Sequence, residues 1–188
     1  MKKMKYILLL LAMILTLAAC GKTATEEAEV PEVSEETDVS EEANVLFGHF
    51  SSQTLEGEEV TEEIFANADL TMVNIWGTFC GPCIAEMPDL GEISREYKDQ
   101  GFQIVGMLCD VMEVGDETAL EIVGKTKADY THLIASDDLI TNALQYVSSV
   151  PTTAFVDKEG NLVGEIYSGA RDKETWEQII NQYLEEVQ

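Results

Sequence analysis

The stretch Trp76-Gly77-Thr78-Phe79-Cys80-Gly81-Pro82-Cys83, WGTFCGPC, sets two cysteines two residues apart, directly behind the run Leu70 to Trp76, LTMVNIW. That run is short, rich in strand formers and almost free of charge, which predicts a central strand covered on both faces. After the cysteines, Ile84, Met87, Leu90, Ile93 and Tyr97 recur at helical spacing, so a helix is expected from Cys80 or Gly81 toward Asp99, kinked at Pro88. Phe102 to Cys109, FQIVGMLC, reads as a second buried strand with Gly101 as the punctuation before it. Strand, helix and strand in that order make a right-handed parallel unit.

Outward from this unit the pattern continues as α/β. Val45 to Val60 predicts a hairpin turning at Leu55-Glu56-Gly57. Glu117 to Lys127 reads as a helix, His132 to Ser136 as a short strand, and Asp138 to Val147 as a helix with an Asp cap. Thr152 to Val156 and Leu162 to Tyr167 alternate like paired strands joined by a turn over Asp157 to Asn161. Trp176, Ile179, Ile180, Tyr183, Leu184 and Val187 trace one face of a closing helix that starts at Asp172. The expectation is one domain over residues 45–188, with a central mixed sheet flanked by helices on both faces.

The first residues carry a different signal. Met1 to Lys5 is basic and Tyr6 to Ala19 is almost unbroken apolar sequence, too short for a comfortable span of about 20 residues. It ends in Leu17-Ala18-Ala19-Cys20-Gly21, which resembles the bacterial lipobox, whose cysteine is acylated and becomes the mature N-terminus. Residues 1–19 are therefore expected to be an export signal and Cys20 the lipidated anchor. Between Glu26 and Glu42 stand nine acids, and no base follows Lys22 before the domain. Such a segment buries too little apolar area to offset its ordering entropy, so residues 20–44 read as an acidic tether reaching at most about 80 Å. A formal charge of −25 argues against nucleic acid as a partner, since binding phosphates needs clustered Lys and Arg.

With Cys20 assigned to lipid, Cys80, Cys83 and Cys109 remain, which is no disulfide scaffold. A zinc site would need two further Cys or His ligands in a plausible pattern, whereas His49 and His132 are isolated. Electron exchange fits better. Cys80 stands where a strand hands over to a helix, and unsatisfied amides with the helix dipole stabilise a thiolate there, lowering an ordinary value near 8.5 toward about 7. Cys80 is then the nucleophile and Cys83, one turn on, the resolving thiol. Gly81 permits the tight turn and Pro82 stiffens it. No cofactor or metal is expected beyond the redox-active pair itself.

WGTFCGPC behind an apolar strand, followed some seventy residues later by VPTTAFVDKEG, resembles the thioredoxin superfamily. With the lipobox and the tether it is most similar to the TlpA/ResA branch. The resemblance implies a thioredoxin fold with an N-terminal hairpin and a central helix-strand insertion over Asp110 to Ser136. It implies a thiol-disulfide oxidoreductase at the outer face of the cytoplasmic membrane. Val150-Pro151-Thr152 corresponds to the family's cis-proline loop, which lies against the CxxC and offers backbone hydrogen bonds to a substrate chain. Trp76, Gly81, Pro82, Val150, Pro151 and Thr152 form the implied substrate-facing set. Asn74 stands where thioredoxin itself has a buried Asp; in the TlpA/ResA branch a Glu on the following helix takes the proton role, and Glu86 holds that place. Cys109 is expected near the same edge of the sheet, most simply as packing.

The leading functional expectation is a reductase of protein disulfides or oxidised partner proteins, recharged by a membrane electron donor of the thiol-transfer type and acting as a monomer. By resemblance its tasks include cytochrome c maturation or methionine sulfoxide reductase recycling. The alternatives are a dithiol oxidase for exported proteins and a non-catalytic binding lipoprotein. A thiol peroxidase would want a Thr where Gly77 stands.

Overall fold

A computed structural model describes residues 45–188; the expected export signal (1–19), lipidated Cys20 and acidic tether (20–44) lie outside the described residues. The chain runs through β1 (Ser51–Gln53), β2 (Glu59–Thr61), β3 (Leu70–Trp76), α1 (Gly81–Tyr97), β4 (Phe102–Leu108), α2 (Glu117–Thr126), β5 (Thr131–Leu133), α3 (Asp137–Asn142), β6 (Thr152–Asp157), β7 (Leu162–Ser168) and α4 (Lys173–Val187). Five strands form the central sheet in the order β5-β4-β3-β6-β7. β3 pairs parallel with β4, and β4 with β5, while β6 and β7 run antiparallel to their neighbours. This is the mixed α/β sheet expected from the periodicities.

Strand alternation sorts β3 onto two cores. Leu70 and Met72 pack under α1 and α4 with Leu90, Ile93, Tyr97, Trp176 and Ile180. Val73 and Ile75 point the other way, onto Phe47, Phe50, Phe65, Leu139 and Leu144. Full burial of such side chains stabilises by about 1.5–3 kcal/mol each, so β3, buried along its whole length, is the strand around which the two layers close.

The hairpin forms as β1 and β2, with the turn closed by Thr54 N–H to the Glu58 carbonyl at 2.8 Å. It is not a free appendage. Leu55 is fully buried, and its amide donates to the His132 carbonyl at 2.8 Å, which bolts the turn to β5. Helix caps follow the side chains: Asp116 accepts from Ala119 N–H and Asp172 from Thr175 N–H, each cap contributing about 1 kcal/mol.

Three expected boundaries are corrected, the first being β5, which ends at Leu133 rather than Ser136 because Ser136 caps the next helix. The cap of α3 is Ser136, whose Oγ accepts from Leu139 N–H at 3.2 Å, while Asp138 turns back to accept the Ser51 amide at 3.0 Å. The helix also ends at Asn142 rather than Val147; there Asn142 Nδ2 donates to the His49 carbonyl at 2.9 Å and a 3-10 turn over Leu144–Tyr146 follows. α1, by contrast, runs without interruption through Pro88. A further 3-10 turn, Glu62–Asn67, has no counterpart in the sequence reading; it places Phe65 in the core.

Candidate active site

Strand β3 ends at Trp76, and four residues carry the chain to the first turn of α1. That loop is fixed from outside by Asp110, whose two carboxylate oxygens accept the Thr78 amide at 3.1 and 3.0 Å, while Oδ2 also accepts the Thr78 hydroxyl at 2.5 Å. Cys80 is the N-cap of α1: the Cys83 amide donates to Cys80 Sγ at 3.2 Å, and Ile84 N–H to the Cys80 carbonyl at 3.1 Å. The first turn of α1 holds no acid. A sulfur in this position receives an oriented amide and the positive end of a 17-residue helix, with no opposing carboxylate in that turn.

Cys80 and Cys83 are joined as a disulfide with Cα atoms 5.3 Å apart. Cys83 is fully buried and Cys80 is 5% exposed, so only the first sulfur meets the surface. Gly81 and Pro82 stand exposed beside it, as does Phe79 at 72%. The Val150–Pro151 peptide is cis, and the Val150 carbonyl oxygen lies 3.5 Å from Cys80 Sγ. The cis-proline loop thus sets its Val150 carbonyl beside Cys80, while the Thr152 hydroxyl donates to the Ser149 carbonyl at 2.7 Å. Trp76, expected among the substrate-facing residues, has no exposed surface: it packs behind the disulfide with Met87 and Leu108 and would act as its support.

Under α1 a polar row crosses the sheet. Thr153, Asn74, Gly106 and His132 occupy one register line on β6, β3, β4 and β5. Gly106 is required there: a Cβ on it would stand 2.2 Å from His132 Nδ1. The space admits the His132 ring, whose Nδ1 accepts from Trp76 Nε1 at 3.2 Å, while its Nε2 lies 2.9 Å from the Ala128 carbonyl. Because an indole only donates, Nδ1 must be bare and Nε2 must carry the proton. Burial pushes this imidazole down to about 4, against a weaker upward pull from the Ala128 carbonyl.

Glu86 sits over the same row and is 3% exposed, which sets aside a solvated helix carboxylate. Asn74 Nδ2 bridges Glu86 Oε1 and Thr153 Oγ1, both at 3.1 Å. Glu86 Oε2 accepts the Arg171 amide at 3.1 Å and the Trp176 indole at 3.5 Å. Burial raises its proton affinity above the usual carboxylate range, and the donors from Arg171, Asn74 and Trp176 offset part of that rise. Glu86 and Cys83 are one turn apart on α1, so a proton can pass on the buried side of the helix.

Cys109 follows β4, its amide bonded to the Trp76 carbonyl at 2.9 Å. Burial, and then the neighbouring Asp110 charge, raise its thiol above the ordinary value, so it stays protonated at neutral pH. Arg171, Trp176, Thr153 and His132 were not legible as site residues. Arg171 from a turn and Trp176 from α4 reach Glu86, Thr153 from β6 reaches Asn74, and His132 from β5 reaches Trp76, each far along the chain from its partner.

This arrangement has counterparts among known proteins. A match to the Redoxin family spans residues 26–180. The chain is 34% identical over 115 residues to the thiol-disulfide oxidoreductase ResA of Geobacillus kaustophilus, an alignment covering 61% of either chain. With the ResA of Bacillus thuringiensis subsp. konkukian it shares 28% identity over 182 residues, 96% of this chain and 97% of that one. Among solved structures, a thiol:disulfide interchange protein of the thioredoxin family from Chlorobium tepidum superimposes with a TM-score of 0.62 at 25% identity, covering 72% of this chain and 93% of that chain.

Proposed function

The chain belongs to the Redoxin family, as a TlpA/ResA-like thiol-disulfide oxidoreductase of thioredoxin fold, and on that premise we propose that it reduces disulfides of protein partners outside the cytoplasmic membrane. The observation that carries this reading is the capped sulfur: Cys80, with the Cys83 amide on it and the cis-proline loop against it, is the one sulfur of the pair open to a partner.

In the reduced protein the Cys80 thiolate attacks one sulfur of the substrate disulfide. A bond forms between Cys80 Sγ and that sulfur, and the other leaves as a thiolate that takes a proton from solvent. Glu86 then accepts the Cys83 proton, and the Cys83 thiolate attacks Cys80 Sγ. The mixed disulfide breaks, the Cys80–Cys83 bond forms, and the second substrate sulfur leaves as a thiol on taking up a proton. Two electrons and two protons pass to the substrate. The oxidised pair is then recharged by a dithiol donor of the membrane thiol-transfer type.

The reductase direction rests on the CGPC dipeptide core, which is that of thioredoxin, with a potential of about −270 mV. Residues 1–19 as export signal, Cys20 as lipid anchor and 20–44 as a tether would hold the domain of residues 45–188 at the outer membrane face. Fatty-acid labelling of the full chain in cells tests the anchor: it should be lost in Cys20→Ala, and label retained by that variant refutes it.

Insulin reduction by wild type and Cys80→Ser tests the catalytic reading, with loss of turnover expected in the variant and equal turnover refuting it. A potential near −120 mV would reverse the assigned direction and make the protein an oxidase.

A further inference from the structure

Two of the three residues that donate to Glu86 hang on a single side chain. Arg171 is one of two arginines in the chain, and it stands in the turn between β7 and α4. Its backbone N–H holds Glu86 Oε2 at 3.1 Å, and Trp176 Nε1 approaches the same oxygen at 3.5 Å. The guanidinium folds back over both supports. It lies 5.1 Å from the Trp176 ring and 4.7 Å from the Tyr167 ring, which meet each other edge-on at 5.8 Å. Its Nη1 donates to the Gly169 carbonyl at 2.8 Å and to the Ser168 carbonyl at 3.4 Å. The planar fork thus ties the turn to β7 and to the first turn of α4 at once, which a lysine could not reproduce.

We propose that Arg171 is a positioning residue for Glu86: its guanidinium fixes the amide and the indole that hold Glu86 Oε2, and so sets the pH at which Glu86 exchanges its proton. The catalytic consequence rests on the reading of Glu86 as acceptor of the Cys83 proton. Glu86 faces few other ionisable groups. Cys83 lies on its own helix, locked in the disulfide in this form. Tyr130, from the segment between α2 and β5, has a buried hydroxyl, and burial and the Glu86 charge keep its phenol neutral well above the working range. Tyr167, beyond the guanidinium, is likewise pushed up by burial and by its bond to Tyr183. β3 and β6 present Asn74 and Thr153, and α4 presents Trp176, none of which titrates here. Asp172 and Lys173 turn away, onto Thr175 and onto Glu92 and Glu96.

The test is a ¹³C NMR titration of the Glu86 carboxyl in the oxidised protein, where Cys83 cannot interfere. It compares wild type, Arg171→Met and Arg171→Lys, with Glu86→Gln assigning the signal. Arg171→Met keeps the stem on Tyr167 and Trp176 but removes charge and donors; its midpoint should rise by about one pH unit, with Arg171→Lys in between. The acid limb of disulfide-reductase turnover should move by the same amount, about tenfold in rate below the midpoint. Midpoints of both variants within about 0.2 of wild type would overturn the inference. If the NMR midpoints move as stated but Glu86→Gln keeps the acid limb, the positioning of Glu86 stands and its catalytic reading falls.

Discussion

Trp76 Nε1 donates to His132 Nδ1 at 3.2 Å across the place on β4 where Gly106 has no side chain. The wall behind the catalytic pair is therefore pinned by an imidazole that must stay neutral, since a protonated Nδ1 has no lone pair for the indole. This gives the domain a pH-dependent support that lies outside the chemistry itself.

His132 titrates near 6.5 when unfolded and is pushed down to about 4 in the fold. Between those values the unfolded chain binds a proton that the native one refuses, so stability rises with pH across that window and is fully present above about 6.5. Acidification from 6.5 to 4 should cost on the order of 3 kcal/mol from this group. Urea unfolding at several pH values should show wild type gaining stability between about 4 and 6.5 while His132→Gln lacks that gain; parallel profiles would remove His132 from the account.

Gly106→Ala forces a Cβ to within 2.2 Å of His132 Nδ1, so the ring must leave or the strands must part. The expected loss is about 2–4 kcal/mol, with a change in Trp76 fluorescence. Thermal unfolding of the reduced and oxidised forms measures it, and an unchanged melting temperature would contradict the packing described.

Much of this molecule could be read locally. β3, α1 and the parallel unit they begin follow from alternation and helical spacing within a few residues, and the N-cap role of Cys80 follows from the same boundary. The short α3 escaped because Ser136, Asp137 and Asp138 all suit a cap and only the Ser51 amide decides between them. The polar row escaped for a different reason. Thr153 and His132 lie 79 and 56 residues from the partners they hold, and strand register, which no local pattern specifies, brings them together; Arg171, 85 residues from Glu86, reaches it from the turn before α4. Glu86 was placed by resemblance; its burial and its partners come only from the structure.

Asn74 gives Glu86 a donor where a second acid would give repulsion. Asn74→Asp sets two carboxylates about 3 Å apart under α1, and such a pair shares a proton. The acid limb of reductase turnover should then move upward by about one unit or more. A turnover profile that coincides with wild type would show that this contact does not govern the proton.

Glu86→Gln removes the proposed proton acceptor while keeping the shape. Resolution of the mixed disulfide by Cys83 should slow by about 10²-fold at neutral pH, measured by stopped-flow release of substrate thiol, with attack by Cys80 little changed. Because burial raises the Glu86 proton affinity, ionising it opposes folding. The native state favours the protonated acid below the ordinary carboxylate range and loses that advantage as pH rises through the shifted value. The Gln variant should therefore gain relative stability on the alkaline side, and a loss there would reverse the sign argued here.

Cys109, protonated and half-buried, should be dispensable: Cys109→Ser is expected to keep turnover within about twofold, since an uncharged thiol is a poor nucleophile.

The rest depends on whether the first turn of α1 makes Cys80 an anion. Alkylation rates of the reduced protein by iodoacetamide across a pH series, with Cys109 replaced, measure this directly. The geometry predicts a midpoint for Cys80 near about 7 or below, and a midpoint near 8.5, that of a free thiol, would contradict it.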